Sequence, residues 1–342
     1  GALLKSEQFN ATYGGYSFQM EPDSGGSTTK KAWEAFTESQ AIRYPKAESM
    51  CFRPELPHGE LLEVEGELQV NTYLHIQTPR KSGDVSPFLN HLKKVLPDER
   101  DRLILVSYMA ACIQHKGVKF QWAPLIQGIE GNGKTLFSRC VAAAVGKRYT
   151  HNPKADDIDN KFNGWMLNKL FIGIEDIYVA DHRREVIEAL KPMITNDELE
   201  IQLKGIDQVT MPVCANFILN MNDKAGFKKT RNDRRFAMFY TAQQVDGDLV
   251  RDGMDGRYFP NLYKWLKRED GYAIVSDYLE KFAIPDELNP ATDCHRAPIT
   301  SSTEEAIEAS VGGIEQEILE AVEEHRVGFM GGWIASSGRV NI

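Results

Sequence analysis

The segment Gly128-Ile129-Glu130-Gly131-Asn132-Gly133-Lys134-Thr135 constrains the fold more tightly than any other stretch of the 342 residues. Its spacing is G-x-x-x-x-G-K-[ST], in which glycines let backbone N–H groups converge on phosphate oxygens. Lys134 supplies a positive charge for β/γ oxygens, and the Thr135 hydroxyl can ligate Mg²⁺. Such a loop requires a strand before it and a helix after it. Residues 122–127 (WAPLIQ) read as a short buried strand. Phe137, Cys140, Val141, Ala144 and Val145 then recur at helical spacing, and Gly146 stands where a helix C-terminus needs a left-handed residue. The segment therefore predicts a strand–loop–helix that sets a helix N-terminus against phosphate. A merely structural glycine turn would leave Lys134-Thr135 unexplained.

The length predicts two or three units. Hydrophobic content is 42% and no apolar run reaches the length of a membrane span; no membrane association is expected. The five cysteines, Cys51, Cys112, Cys140, Cys214 and Cys294, form no C-x-x-C pair, and three lie in apolar segments. A reducing, cytoplasmic compartment is expected, that of a host cell if the chain is phage-encoded. The eight histidines show no zinc spacing, and no G-x-S-x-G elbow occurs. The chain starts at Gly1, so either a removed upstream part or a tag scar is expected, and residues 327–342 read as the start of a truncated domain.

A net charge of −9 argues against nucleic acid until its distribution is considered. From Ser301 onward there are eight acidic and two basic residues, −6 of the total. Lys224, Lys228, Lys229, Arg231, Arg234 and Arg235 form a basic run in the core. Such a run is ordinarily a solvated face.

Five regions are read. Residues 1–45 are a linker or extension, with a flexible break at 24–29 (SGGSTT). Residues 46–118 are an accessory part, short strands and then helices from Ser86. Residues 119–245 alternate strands and helices and read as the P-loop core, an α/β fold with a mostly parallel sheet. Residues 246–300 close the core, and 301–342 are acidic and helical.

Hydrolysis needs more than the loop. Residues 170–176 (LFIGIED) read as a buried strand ending in two acids at the sheet's carboxyl edge. Glu175 and Asp176 are assigned to Mg²⁺ and to polarising the attacking water; solvated strand-end acids are the plainer reading. Residues 213–222 form another apolar strand ending in amides. Asn222 is the candidate that senses γ-phosphate, with Asn220 second, although an Asn there is often a turn residue. Arg234 and Arg235 precede a further strand as surface charge or as an arginine finger for a neighbouring subunit. Between the acids and Asn222, Leu199, Ile201 and Leu203 alternate with polar residues, and alternation resumes at Gln208. A β-hairpin tipped by Lys204-Gly205 is predicted, able to carry a lysine against a phosphate backbone.

This order of motifs resembles the superfamily 3 helicases of viruses and phages, and most of all the C-terminal helicase region of phage and poxvirus-type primase-polymerase–helicase proteins. The resemblance covers roughly residues 50–242 and includes Phe162-Asn163-Gly164-Trp165 and residues 190–195 (LKPMIT). It implies an AAA+-like core closed by a small α-rich region, and ATP with Mg²⁺ held by Gly128, Glu130, Gly131, Asn132, Gly133, Lys134, Thr135 and Leu136. It further implies a homohexameric ring, single-stranded DNA in the channel near Lys204, Gly205 and Lys191, 3′→5′ translocation, and an upstream primase-polymerase domain. The Glu-Asp order leaves open which acid polarises water, and the finger maps to Arg234 or Arg235. The alternatives are an AAA+-like motor or remodeller acting on a protein or packaging substrate, and a nucleotide-dependent assembly module. A small-molecule kinase would need an acceptor lid that nothing in the sequence suggests.

Overall fold

The computed structural model describes residues 4–23, 25–42, 46–158, 160, 162–175, 183–202, 208–223, 227 and 229–310, with short pieces at 322, 325, 329–330 and 333–334. The chain divides into two compact units, residues 1–76 and 77–342.

In the first unit, helix α1 (Ser6–Tyr13) and helix α2 (Ala32–Glu38) meet through the rings of Phe9, Trp33 and Phe36. Strands β1 (Phe18–Gln19) and β2 (Thr28–Thr29) pair antiparallel. The flexible break expected at 24–29 is therefore corrected at its end: Thr28 and Thr29 are strand, and Met20 N donates to Ser27 O at 2.9 Å. Local pairing supplies the partners that a free glycine-serine linker would leave to water. Strands β3 (Ser49–Cys51), β4 (Leu61–Val64) and β5 (Glu67–Asn71) form a sheet ordered β3-β5-β4. Buried Asn71 organises it, donating to the carbonyls of Arg53, Leu56 and Pro57 and accepting from the amides of Arg53 and Tyr73.

The second unit begins with helix α3 (Ser86–Val95), whose buried stripe is Phe88, His91, Leu92 and Val95. Helix α4 (Glu99–Gln114) follows, capped by Asp98, which accepts from Asp101 N. Every residue of α4 from Ile104 to Ile113 is buried, so this helix is enclosed on all sides.

The central sheet has five strands: β6 (Ala123–Gln127), β7 (Thr150–His151), β8 (Phe171–Glu175), β11 (Asn216–Met221) and β12 (Phe236–Tyr240). All pairings are parallel, and the order is β12-β6-β11-β8-β7. Counted along the chain, the strands lie fifth, first, fourth, third, second. Near-continuous burial of β6, β8 and β11 is what a sheet covered on both faces demands. Helix α5 (Thr135–Val145) follows β6, α6 (Ala155–Ile158) precedes β8, and α7 (Arg183–Thr195) follows it. Strands β9 (Glu198–Ile201) and β10 (Val209–Pro212) form the expected antiparallel hairpin between α7 and β11, with Ile201 opposite Val209. Its tip, including Lys204 and Gly205, lies outside the described residues. Helices α8 (Asp246–Arg251), α9 (Tyr258–Arg268) and α10 (Gly271–Lys281) come after the sheet, and α10 packs on α4 and α5. Of the acidic tail, helix α11 (Thr303–Glu308) is described, and most of 311–342 is not.

Candidate nucleotide site

The loop between β6 and α5 is set at the carboxyl edge of the sheet, where open α/β sheets bind ligands. Gly131 and Gly133 both have φ of +81°, which an L side chain rarely adopts. A Cβ on Gly128 would collide with the Thr241 hydroxyl, so β12's exit and the loop's start share one tight contact. Asn132, fully buried, donates to Thr241 Oγ1 at 2.9 Å and accepts from Lys134 N at 3.2 Å. The loop is thus braced by its own asparagine and by the end of a neighbouring strand. The Leu136 side chain is buried below it, and its amide donates to Gly133 O at 3.0 Å.

A second brace comes from His91. Its Nε2 donates to Gly133 O at 3.3 Å, which leaves Nδ1 to accept from the Tyr258 hydroxyl at 3.0 Å. The ring stacks on Phe137, and burial pushes its pKa down to about 4, so it is neutral at physiological pH. One side chain therefore ties α3, the loop and α9 together.

Lys134 is buried to 7% exposure and its ammonium is engaged. It donates to Gly128 O (2.9 Å), Ile129 O (3.0 Å) and Asn222 Oδ1 (2.6 Å). Asn222 follows β11 directly, and its carbonyl accepts from Gln127 Nε2 at 2.9 Å. Asn220, two residues earlier and inside the strand, is buried. It donates to Ser138 Oγ and Ile174 O, and its Oδ1 has no partner among the described residues. Glu175 ends β8 directly opposite Asn220 and lies 3.6 Å from Arg139 of α5. Their side chains are 44% and 36% exposed, so the pair contributes roughly 0–1 kcal/mol.

A cleft of about 470 Å³ gathers Glu130, Gly131, Asn132, Gly133, Lys134 and Thr135 of the loop with Arg139, Glu175, Asn220 and Asn222. Phe259 and Tyr263 of α9 complete it. Asp176 lies outside the described residues. Among the described residues no group of three or more His, Cys, Asp or Glu could hold a metal alone, and no helix is long and apolar enough to cross a membrane.

Arg234 and Arg235 are elsewhere. β12 runs parallel to β6 with Phe236 opposite Ala123 and Tyr240 opposite Gln127, so both arginines sit at the amino edge of the sheet. At about 3.3 Å per residue, Arg235 is roughly 20 Å from the start of the loop along the strand and Arg234 one residue further. Arg234 is exposed. Arg235 is half buried, and Asp233 Oδ1 accepts from its amide at 2.8 Å. Lys191 lies on α7 and pairs with Glu188 at 2.6 Å. The hairpin begins and ends on this same amino side, since it leads into β11.

Four contributors escaped sequence reasoning: His91, Arg139, Phe259 and Tyr263. Arg139 is one helical turn after Thr135, and Phe259 and Tyr263 are one turn apart, so helical spacing was a usable signal for each pair. His91 carried none beyond its place in an amphipathic stripe.

Loop, strand order and edge define an α/β fold of the P-loop NTPase class. Residues 126–235 match the model of a family of unknown function (DUF5906). Over 145 residues the chain is 27% identical to the DNA primase-polymerase of Nitratiruptor phage NrS-1, a match spanning 41% of this chain and 20% of that protein. Two apo structures of the NrS-1 C-terminal region share its fold, with TM-scores of 0.65 and 0.66 and 17% identity. They cover 84% and 85% of this chain and 66% and 67% of theirs. The resemblance to the C-terminal region of a phage primase-polymerase, read from motifs, thus extends to the fold.

Proposed function

We propose that the chain is an ATP-hydrolysing helicase module of the superfamily 3 type, acting in phage DNA replication. The observation that carries this reading is the joining of Lys134 to Asn222 across the carboxyl edge. The two residue types that contact a γ-phosphate in such enzymes meet at one point. Supporting it is the similarity to a phage DNA primase-polymerase.

In this reading, loop amides and Lys134 bind the triphosphate, and the ammonium exchanges the carbonyls of Gly128 and Ile129 for phosphate oxygens. Thr135 and Glu175 offer the oxygen donors a hard cation takes, and Asp176 adds another by sequence. Bound Mg²⁺ would supply charge compensation for the phosphoryl oxygens. Glu175 or Asp176 holds the water that attacks, and Asn222 orients it. The finger comes from a neighbouring copy, through Arg234 or Arg235, because each is too far from its own loop. Copies therefore form a ring, a hexamer by resemblance, around single-stranded DNA contacted by the Lys204 hairpin. A primase-polymerase domain of the same protein lies upstream, and the assembly works in the cytoplasm.

The test is ATP turnover with and without single-stranded DNA, beside strand displacement on a forked duplex. Stimulation by DNA and loss of both activities in Lys134→Ala are expected. Turnover indifferent to DNA but raised by a protein partner would favour a remodeller instead.

A further inference from the structure

The wall of the nucleotide cleft is chemically uneven. Its loop, strand-end and α5 contributors are polar side chains or glycines. The apolar surface comes from two rings, Phe259 and Tyr263. They stand one turn apart on α9, with centroids 6.4 Å apart and planes inclined by 31°. Both are partly exposed, whereas Leu262 and Leu266 on the adjoining stripe are buried and carry the packing of the helix. A nucleoside triphosphate likewise has one apolar, planar part, its base.

We propose that Phe259 and Tyr263 form an aromatic platform that receives the base of the bound nucleoside triphosphate and reads its face rather than its edge. The inference rests on the reading of the 128–135 cleft as a triphosphate site. Position supports it. Phe259 abuts the phosphate loop: a Cβ built on Gly133 would lie 2.9 Å from its ring. Tyr263 follows one turn along α9 and lines the same cleft. The His91 bridge from Gly133 to Tyr258 holds α9 against the loop, so the platform keeps its distance from the phosphates. Both rings line the cleft, with Lys267 Nζ lying 5.7 Å from the Tyr263 centroid, and Arg139 and Glu175 lie 3.6 Å from each other. Stacking on such rings tolerates any base.

The experiment measures dissociation constants for the Mg²⁺ complexes of the β,γ-imido analogues of ATP and GTP, and for inorganic tripolyphosphate, which has no base. Wild-type chain, Phe259→Leu, Tyr263→Leu and Tyr263→Phe are compared. The wild type is expected to bind both analogues within about fivefold of each other. Each Leu variant should weaken both by about tenfold or more, the low end of a stacking loss. Tripolyphosphate binding should stay unchanged, which also reports that the loop is folded, and Tyr263→Phe should match the wild type. The platform is overturned if the Leu variants weaken tripolyphosphate as much as the analogues, if they weaken neither, or if the wild type prefers one base by more than about a hundredfold. A wild type that binds neither analogue nor tripolyphosphate would instead remove the triphosphate site itself.

Discussion

Lys134 Nζ donates to Asn222 Oδ1 at 2.6 Å, joining the phosphate loop to the end of the strand beside it. The two residues are 88 positions apart in sequence and meet because β6 and β11 are parallel neighbours in register, Gln127 beside Met221. Gly128 O, Ile129 O and Asn222 Oδ1, which accept from this lysine, are neutral groups that a phosphate can displace. The contact therefore links the loop's occupancy to the position of Asn222.

Replacing Asn222 with Ala removes that acceptor and the group that orients water. Turnover should fall by about a hundredfold, in the range seen when one preorganised polar group is lost. KM for ATP should change much less, because the loop amides remain. Steady-state phosphate release measures both; an equal change in KM and kcat would mean that Asn222 only shapes the ground-state site.

His91 makes the fold sensitive to acid. Its folded pKa is about 4 against 6.5 unfolded, lowered by burial and by nearby Lys94, with the Gly133 carbonyl opposing. Between those values the unfolded chain binds a proton that the folded one refuses. Its contribution is therefore complete above about pH 6.5 and is lost as pH falls toward 4, on the order of 3 kcal/mol in all. Urea midpoints at pH 5 and 7.5 should differ more for the wild type than for His91→Gln.

Gly131 and Gly133 share a φ of +81° but not a neighbourhood. A Cβ on Gly131 meets nothing within 4 Å, so Gly131→Ala should cost about 1 kcal/mol of backbone strain. On Gly133 a Cβ would lie 2.7 Å from the His91 ring, and Gly133→Ala should cost about 2–4 kcal/mol. Thermal melts of the two variants should separate clearly.

The arginines at the amino edge give a test of assembly. Arg234→Ala with Arg235→Ala should leave analogue binding unchanged and lower turnover by about 10³ or more, the scale of a lost finger. Mixing this variant with Lys134→Ala should restore some turnover, since an intact loop can then face intact arginines. Wild-type turnover in the double variant would exclude a finger at either position.

Four of the five core strands are legible in the sequence, because β6, β8, β11 and β12 are short apolar runs, whereas the two-residue, half-buried β7 carries no such pattern. The strand ending at Glu175, the one before Asn222, the one after Arg235 and the hairpin follow from local pattern and turn chemistry. The glycine-serine stretch near residue 25 was misread, since composition does not tell a linker from a turn whose flanks pair. His91, Arg139 and the α9 rings were missed because their roles depend on which helix packs beside the loop, and that is a long-range fact.

Sequence alone determined the phosphate loop. Its glycines, lysine and threonine are consecutive, and their geometry follows from backbone freedom over eight residues. Only the tertiary structure decided what surrounds it. The parallel sheet brings Asn222 to Lys134 and carries Arg234 and Arg235 to the far edge, while burial turns His91 into a neutral strut. Strand order and packing depend on contacts between residues scores of positions apart, and no local pattern encodes those distances.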